Sequence, residues 1–225
     1  MSLSILTLIM LAPVIGSVIV LLIPKQQDLA MKIVAAASVG FSLLLSLYVC
    51  FAYDRVLGGF QFIEKTDWLP SLGISYHVGV DGFSAPQLLL TAIVGFCACL
   101  ITFRLEDRVR EYLSFLLALI GGVFGSFIAL DVVLMLIFYE LVLFPVYVLV
   151  AGWGSKNREY AAMKLTIYLF LGSLVAIVGL LAVYFKAGSS FNFFEMQAGI
   201  AALPPRKASP SRRFGSCRSS SASAC

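Results

Sequence analysis

The chain has 225 residues, of which 60% are hydrophobic and 12% are charged, and its mean hydropathy is +0.98. Soluble domains carry about twice that share of charged residues, so the composition excludes a soluble globular protein and indicates an integral membrane protein. The formal net charge is +4, but five of the sixteen basic residues lie in the last twenty positions. The rest of the chain is close to neutral, which gives no support to nucleic-acid binding.

Six apolar segments are long enough to cross the hydrocarbon core of a bilayer, which takes about 20 helical residues. These segments are Leu3–Ile23, Ala30–Tyr53, Ser84–Phe103, Tyr112–Leu130, Val132–Gly152 and Ala161–Phe185. The first is too long for the core of a signal peptide, and we expect it to stay as a transmembrane helix. The fold class is therefore predicted to be all-α, a polytopic transmembrane bundle of about six helices.

Asp131 alone separates the fourth segment from the fifth. An apolar run of 41 residues is too long for one crossing, and aspartate is a preferred residue just before the first turn of a helix. We therefore predict that Asp131 caps the fifth helix, and favour this over a role in ion binding.

Lysine and arginine are distributed unevenly between the two ends of the predicted helices. Three lie on the side of the even-numbered loops, before the tail, and eight on the side of the odd-numbered loops. These eight are Lys25, Lys32, Arg104, Arg108, Arg110, Lys156, Arg158 and Lys164. Positive charge collects on the cytoplasmic side of membrane proteins. We therefore expect a bacterial inner-membrane protein with its N-terminus outside the cell membrane.

The composition changes at Arg206. Residues 206–225 are rich in serine and arginine and have no apolar periodicity, which predicts a disordered tail after a loop over residues 187–205. On the predicted topology the tail would lie outside, where its positive charges contradict the charge rule. We hypothesise that the natural chain continues hydrophobically and that this tail is translated from a shifted reading frame.

Glu140 is the most informative residue, because the segment around it has no other formal charge. It lies eight residues after Val132, or about 12 Å along a helix, close to the middle of the membrane. A carboxylate there costs on the order of 3 kcal/mol or more unless it is paired, hydrated or protonated. This favours a role in proton or ion movement, although a structural glutamate bonded to a neighbouring helix is the alternative.

Other residues of the last two segments could assist such a role. Pro145 removes a backbone donor and leaves the carbonyl of Leu141 without a partner, and Tyr147 shares the helix face of Glu140. Lys164, at the cytoplasmic start of the sixth segment, either snorkels to the interface or biases a nearby carboxylate, and both interpretations stay open. Gly121 and Gly125 form a GxxxG pattern that predicts a helix-packing face.

The connection Asp54–Val80 is the longest loop, and it contains His77, the only histidine of the chain. We expect His77 to be a surface or interface residue and not a member of a proton relay. With one histidine and no cysteine cluster, the sequence has no ligand set for haem or an iron–sulfur centre. It also lacks the strand context of a nucleotide site. We therefore expect no cofactor in this chain.

Two stretches resemble a known family. The first runs from Trp68 to Ser84 and includes the sequence VGVDGFS, and the second contains FYELVLFPVYVL, from Phe138 to Leu149. The second continues with Gly152–Gly154 and Arg158–Lys164. Both are similar to NADH:quinone oxidoreductase (respiratory complex I) subunit M, called chain 4 in mitochondria, a member of the antiporter-like family. The resemblance covers residues 1–205.

The resemblance implies a proton-pumping membrane-arm subunit without a redox centre, in a family with fourteen helices. Glu140 matches a glutamate thought to pair with a lysine on the seventh helix. Residues 1–130 would then be an N-terminal transmembrane region, and residues 131–186 would begin the proton-translocating domain. The implied partners are the lipid bilayer and other membrane-arm subunits, with NADH and quinone bound elsewhere in the complex.

Two alternatives stay open at this point. One is a subunit of a complex that exchanges Na⁺ for H⁺, because sister antiporter subunits have a comparable membrane glutamate. The other is a truncated and inactive membrane scaffold, because the seventh, eighth and twelfth helices of the family, with their lysines and distal acid, are not in this chain.

Overall fold

The computed structural model describes residues 4–24, 26–54, 58–69, 74–105 and 108–187. All six predicted helices are present, and each is long and apolar enough to cross a membrane. The helices are α1 Ile5–Leu22, α2 Asp28–Ala52, α3 Ser84–Ile101, α4 Val109–Ile128, α5 Val132–Trp153 and α6 Arg158–Ala187. The predicted class of transmembrane helix bundle is confirmed. Apart from Ala187, the loop and tail predicted over residues 187–225 lie outside the described residues.

Helices α1 and α5 begin at polar side chains that accept hydrogen bonds from their first turns. The Thr7 N–H donates to Ser4 Oγ over 3.3 Å at the start of α1. At α5, Oδ1 of Asp131 accepts from the N–H groups of Val133 at 2.9 Å and Leu134 at 3.3 Å. These donors have no partner within the helix, so the side chain supplies one. The prediction that Asp131 caps α5 is confirmed.

Helix α4 lies at the centre of the bundle and packs against α1, α3 and α5. Of its membrane segment 56% is buried, against 6% for α6, which contacts the bundle along one side. A Cβ added at Gly121 would lie 2.5 Å from Cγ2 of Val14, and one added at Gly125 would lie 2.5 Å from Cδ1 of Phe138. These glycines therefore let α1 and α5 approach α4 closely, which confirms the predicted packing face.

Buried serines link helices α1, α2 and α4 through backbone groups. Ser17 of α1 donates to the carbonyl of Ser114 in α4 over 2.9 Å, and Ser42 of α2 donates to the carbonyl of Ile9 in α1 over 3.0 Å. Since hydrocarbon offers no hydrogen-bond partner, such contacts hold α1, α2 and α4 in one register.

A two-stranded antiparallel hairpin follows α2, in the segment that was expected to be a loop. Its strands are β1 Gln61–Leu69 and β2 Ile74–Val80. Val78 forms a bridge with Ala129, and the N–H of Leu130 donates to the carbonyl of His77 over 2.8 Å. The hairpin is thus bonded to the junction between α4 and α5.

The hairpin also contacts the first turn of α1. The Thr7 hydroxyl donates to the carboxylate of Glu64 over 3.3 Å and lies 3.1 Å from the hydroxyl of Tyr76. The start of α1, the hairpin and the α4–α5 junction therefore lie at the same end of the bundle.

Basic side chains bind the last carbonyl groups of helices at the opposite end. Nζ of Lys32 donates to the carbonyls of Phe103, at 3.2 Å, and Leu105, at 2.9 Å, where α3 ends in a 3₁₀ turn. Arg158 donates to the carbonyl of Gly152 over 3.0 Å at the end of α5. Cations stabilise helix C-termini because the unpaired carbonyl groups there carry partial negative charge.

Gly125→Ala should destabilise the bundle, because the new methyl group would meet the ring of Phe138 at 2.5–2.7 Å. Overpacking of this kind costs about 1–3 kcal/mol. The matched control is Gly179→Ala on α6, where an added Cβ meets nothing within 4 Å. Thermal denaturation of the purified chain in detergent should show a lower midpoint for Gly125→Ala alone. Equal midpoints for the two variants would contradict the close α4–α5 contact.

Asp131→Ala should lower stability by about 0.5–2 kcal/mol, because two N–H groups of α5 lose their acceptor. Asp131→Asn keeps the acceptor oxygen and should retain most of the stability, since asparagine caps helices about as well as aspartate. The same denaturation assay measures both. If the two variants lost the same amount of stability, the loss could not be attributed to the capping hydrogen bonds.

Candidate functional site in the fifth helix

Glu140 lies inside α5, eight residues after its start and thirteen before its end at Trp153. The side chain is half-buried, and its Oε1 is completely buried without a hydrogen-bond partner among the described residues. A buried polar atom left in this way costs about 1–3 kcal/mol. The carboxyl group therefore lies well inside a helix long enough to span a membrane, with unused hydrogen-bonding capacity among the described residues.

The face of α5 that carries Glu140 points away from α4. Phe138 packs against Gly125 of α4, and Val142 packs against Gly122. Since each residue turns the helix by about 100°, Glu140 lies on nearly the opposite side from Phe138. Tyr147, seven residues after Glu140, shares its side and is 39% exposed. Glu140 and Tyr147 thus form a polar stripe that α4 does not cover.

Pro145 is buried in the same helix, five residues after Glu140. Proline has no N–H, so the carbonyl of Leu141 receives no hydrogen bond from position 145. This adds a polar backbone group one residue from the glutamate, at a depth where lipid offers no donor.

Lys164 is on α6, and the structure does not bring it to Glu140. Ala162 is fully buried and marks the packed side of α6, whereas Lys164 is exposed. Two residues correspond to about 200° around a helix, so the lysine points away from that packed side. Its Nζ lies 5.9 Å from the ring centroid of Tyr160. Among the described residues, the one ion pair is Arg108–Glu111.

His77 is buried and 5% exposed, so the expectation of a surface position is wrong. The α4–α5 junction covers β2: a Cβ added at Gly79 would lie 2.7 Å from Cδ1 of Leu130. Burial lowers the pKa of His77 below its ordinary value of 6.5, and the charge of Lys65 acts in the same direction. The carboxylate of Asp131 opposes them and raises the pKa.

Tyr76, the neighbour of His77, is a hydrogen-bonding group between the hairpin and α1. Burial raises the pKa of its hydroxyl above 10.0, which the hydrogen bond with Thr7 opposes and the charge of Glu64 increases. Tyr76 therefore stays protonated at neutral pH and holds the hairpin by its hydroxyl.

A sequence signal for the hairpin exists in β2. Ile74, Tyr76, Val78 and Val80 alternate with smaller or polar residues, and β-branched and aromatic residues at every second position are typical of a strand. The alternation does not show that His77 is buried, because both faces of this strand are covered.

Metal binding has no candidate site in the part of the chain that the structure describes. No three side chains of His, Cys, Asp or Glu come close enough together there to hold an ion. The expectation of a chain without a cofactor stays a prediction.

Known families and relatives match this chain over the segment that contains Glu140 and over most of its remaining length. The family model described as "NADH:quinone oxidoreductase/Mrp antiporter, TM" matches residues 129–211, a range that includes α5 and α6. NAD(P)H-quinone oxidoreductase chain 4 of Gloeobacter violaceus is 37% identical over 194 residues, which are 86% of this chain and 36% of the relative. NADH-quinone oxidoreductase subunit M of Rickettsia typhi is 30% identical over 197 residues, which are 84% of this chain and 40% of the relative.

Solved structures show the same fold. A chain of respiratory complex I from Thermus thermophilus with bound NADH superposes with a TM-score of 0.75 and 26% identity. The match covers 86% of this chain and 39% of that one. A chain of the Mrp complex from Dietzia shares the fold alone, with a TM-score of 0.67, 16% identity, and coverage of 82% of this chain and 20% of that one.

The chain thus spans 36–40% of the length of these two relatives. Within that span, both the sequence and the fold match the predicted family. The resemblance stated from the sequence is confirmed: the chain is related to the antiporter-like subunit M, or chain 4, of NADH:quinone oxidoreductases.

Proposed function

We propose that this chain contributes to proton translocation as a membrane-arm part of an NADH:quinone oxidoreductase. The observation that carries the proposal is Oε1 of Glu140, buried within a membrane helix and without a partner among the described residues. A carboxyl group in such a place takes up a proton in apolar surroundings and releases it when a positive charge approaches. Glu140 would therefore be a proton-relay residue.

No described cation contacts Glu140, so the positive charge that would drive release of its proton has to come from another residue. Lys164 points away on α6 and would at most supply charge near the end of the helices. The family resemblance implies a lysine on a seventh helix instead. A change in the distance between that lysine and Glu140 would convert a conformational change into uptake or release of a proton.

The remaining parts of the function follow from the same family. The chain would have no redox role, because its single histidine and scattered cysteines form no ligand set. NADH and quinone would bind to other subunits, and its partners would be other membrane-arm subunits and the bilayer. In a bacterial inner membrane, the end with the hairpin would face outside and the end with Lys32 and Arg158 the cytoplasm.

Exchange of Na⁺ for H⁺ is the second candidate. The matching family model names the Mrp antiporter together with the oxidoreductase. Proton movement that a sodium gradient drives in the absence of NADH and quinone would favour this candidate. Proton movement that requires NADH and is unaffected by sodium would favour the oxidoreductase.

Glu140→Gln should abolish most NADH-driven proton pumping, because the amide keeps the shape of the side chain but binds no proton at neutral pH. The assay uses inverted membrane vesicles from cells whose complex contains this chain, with a pH-sensitive dye for pumping and absorbance for NADH oxidation. The matched control is Glu159→Gln, the same change at an exposed position in the first turn of α6.

Native gels should show an assembled complex for both variants, and the control should pump as the unchanged complex does. Full pumping by Glu140→Gln would remove this residue from the proton path.

A further inference from the structure

Two ionisable side chains are buried together at the hairpin end of α5, apart from Glu140. His77 of β2 is 5% exposed and Asp131 is 1% exposed. The charge of Asp131 acts on the imidazole ring of His77. Buried ionisable groups are rare unless they are paired, and a pair at the end of a functional helix is a candidate for proton binding.

The backbone holds this pair in place. The carbonyl of His77 accepts a hydrogen bond from Leu130, and Val78 bridges to Ala129, the residues just before Asp131. Asp131 is itself fixed by the two hydrogen bonds with which it caps α5. The hairpin and α5 are therefore held together at the position where the hairpin carries the base His77 and the start of α5 carries the acid Asp131.

We propose that His77 and Asp131 form a second proton-binding site at the hairpin end of α5, in which the imidazole ring takes up the proton beside the carboxylate. Protonation turns a neutral ring next to an anion into an ion pair, so the net charge at the start of α5 changes from −1 to 0. The proton comes from water at that end of the bundle and returns to it.

The meaning of this site for transport depends on the proposed function of Glu140. Asp131 lies nine residues before Glu140 on the same helix, or about 13 Å along the axis. In an apolar medium charges interact over that distance far more strongly than in water. When His77 is protonated, the negative charge at the start of α5 is compensated and the field along the helix weakens. The proposed site would therefore act electrostatically on the proposed relay residue.

Few charged groups face His77. Lys65 lies directly opposite it on β1 and is exposed, and Asp131 faces it from the start of α5. Helix α4 also packs on β2, but its charged residues, Arg110 and Glu111, lie in its first turn, at the far end from the hairpin. Of the charged groups that the structure describes, Lys65 and Asp131 should thus have the largest effect on the titration of His77.

Because His77 is the only histidine, its titration can be followed directly. Isotope-labelled histidine in the full chain, placed in lipid nanodiscs, gives one imidazole signal by NMR. We expect a midpoint below 6.5. Asp131→Asn should lower it further, by about one pH unit, because an opposite charge is removed. Lys65→Gln should raise it by less, because solvent screens an exposed lysine.

The control is Glu111→Gln, which removes an acid at the other end of α4 and should leave the midpoint unchanged. Asparagine also caps helices, so Asp131→Asn retains the start of α5. A midpoint near 6.5 that none of the substitutions moves would overturn the proposed site, whether or not Glu140 takes part in pumping.

A second measurement tests the link to transport. In the vesicle assay, His77→Gln should change the shape of the pH profile of NADH-driven pumping, because glutamine cannot take up the proton. Glu111→Gln should leave the shape unchanged. An unaltered profile for His77→Gln would overturn the link even if the NMR titration showed the pair. Loss of most pumping at all pH values is expected for Glu140→Gln alone, so the two proposals can fail separately.

Discussion

The two hydrogen bonds that Asp131 accepts from Val133 and Leu134 determine where α5 begins. Without them the apolar run from α4 could continue as one helix, and the depth of every later residue would be undefined. With the start fixed at Val132, Glu140 lies about 12 Å from that end of a helix that is long enough to span a membrane. A short polar side chain at the membrane surface thus sets the depth of the group on which the proposed function depends.

Much of the fold could be predicted because lipid imposes simple rules on a sequence. The six helices followed from the length of the apolar runs, the cap from one aspartate between two of them, and the α4 packing face from Gly121 and Gly125. The hairpin did not follow, because it lies outside the hydrocarbon, where those rules do not apply. The burial of His77 was missed because it results from the α4–α5 junction covering β2, a contact between residues more than fifty positions apart.

The position of Glu140 within a helix was predictable from the sequence, whereas its electrostatic partner was not. A lone glutamate within an apolar segment is visible in any sequence, and the structure places Glu140 inside α5, eight residues after its start. Its electrostatic partner is not visible in this way, because pairing depends on the direction in which a neighbouring helix presents its side chains. Lys164 illustrates the point: it is close in sequence to the packed Ala162, yet it lies on the other side of α6.

The contact between α4 and α5 has a mechanical consequence. Phe138 and Val142, which rest on Gly125 and Gly122, lie two residues before and two residues after Glu140. The segment of α5 that carries Glu140 is therefore packed, on both sides of the glutamate, against glycines of α4 that have no side chain. A larger residue at Gly122 or Gly125 would push this segment of α5 away from α4. The surroundings of Glu140 would then change, although the glutamate itself touches neither glycine.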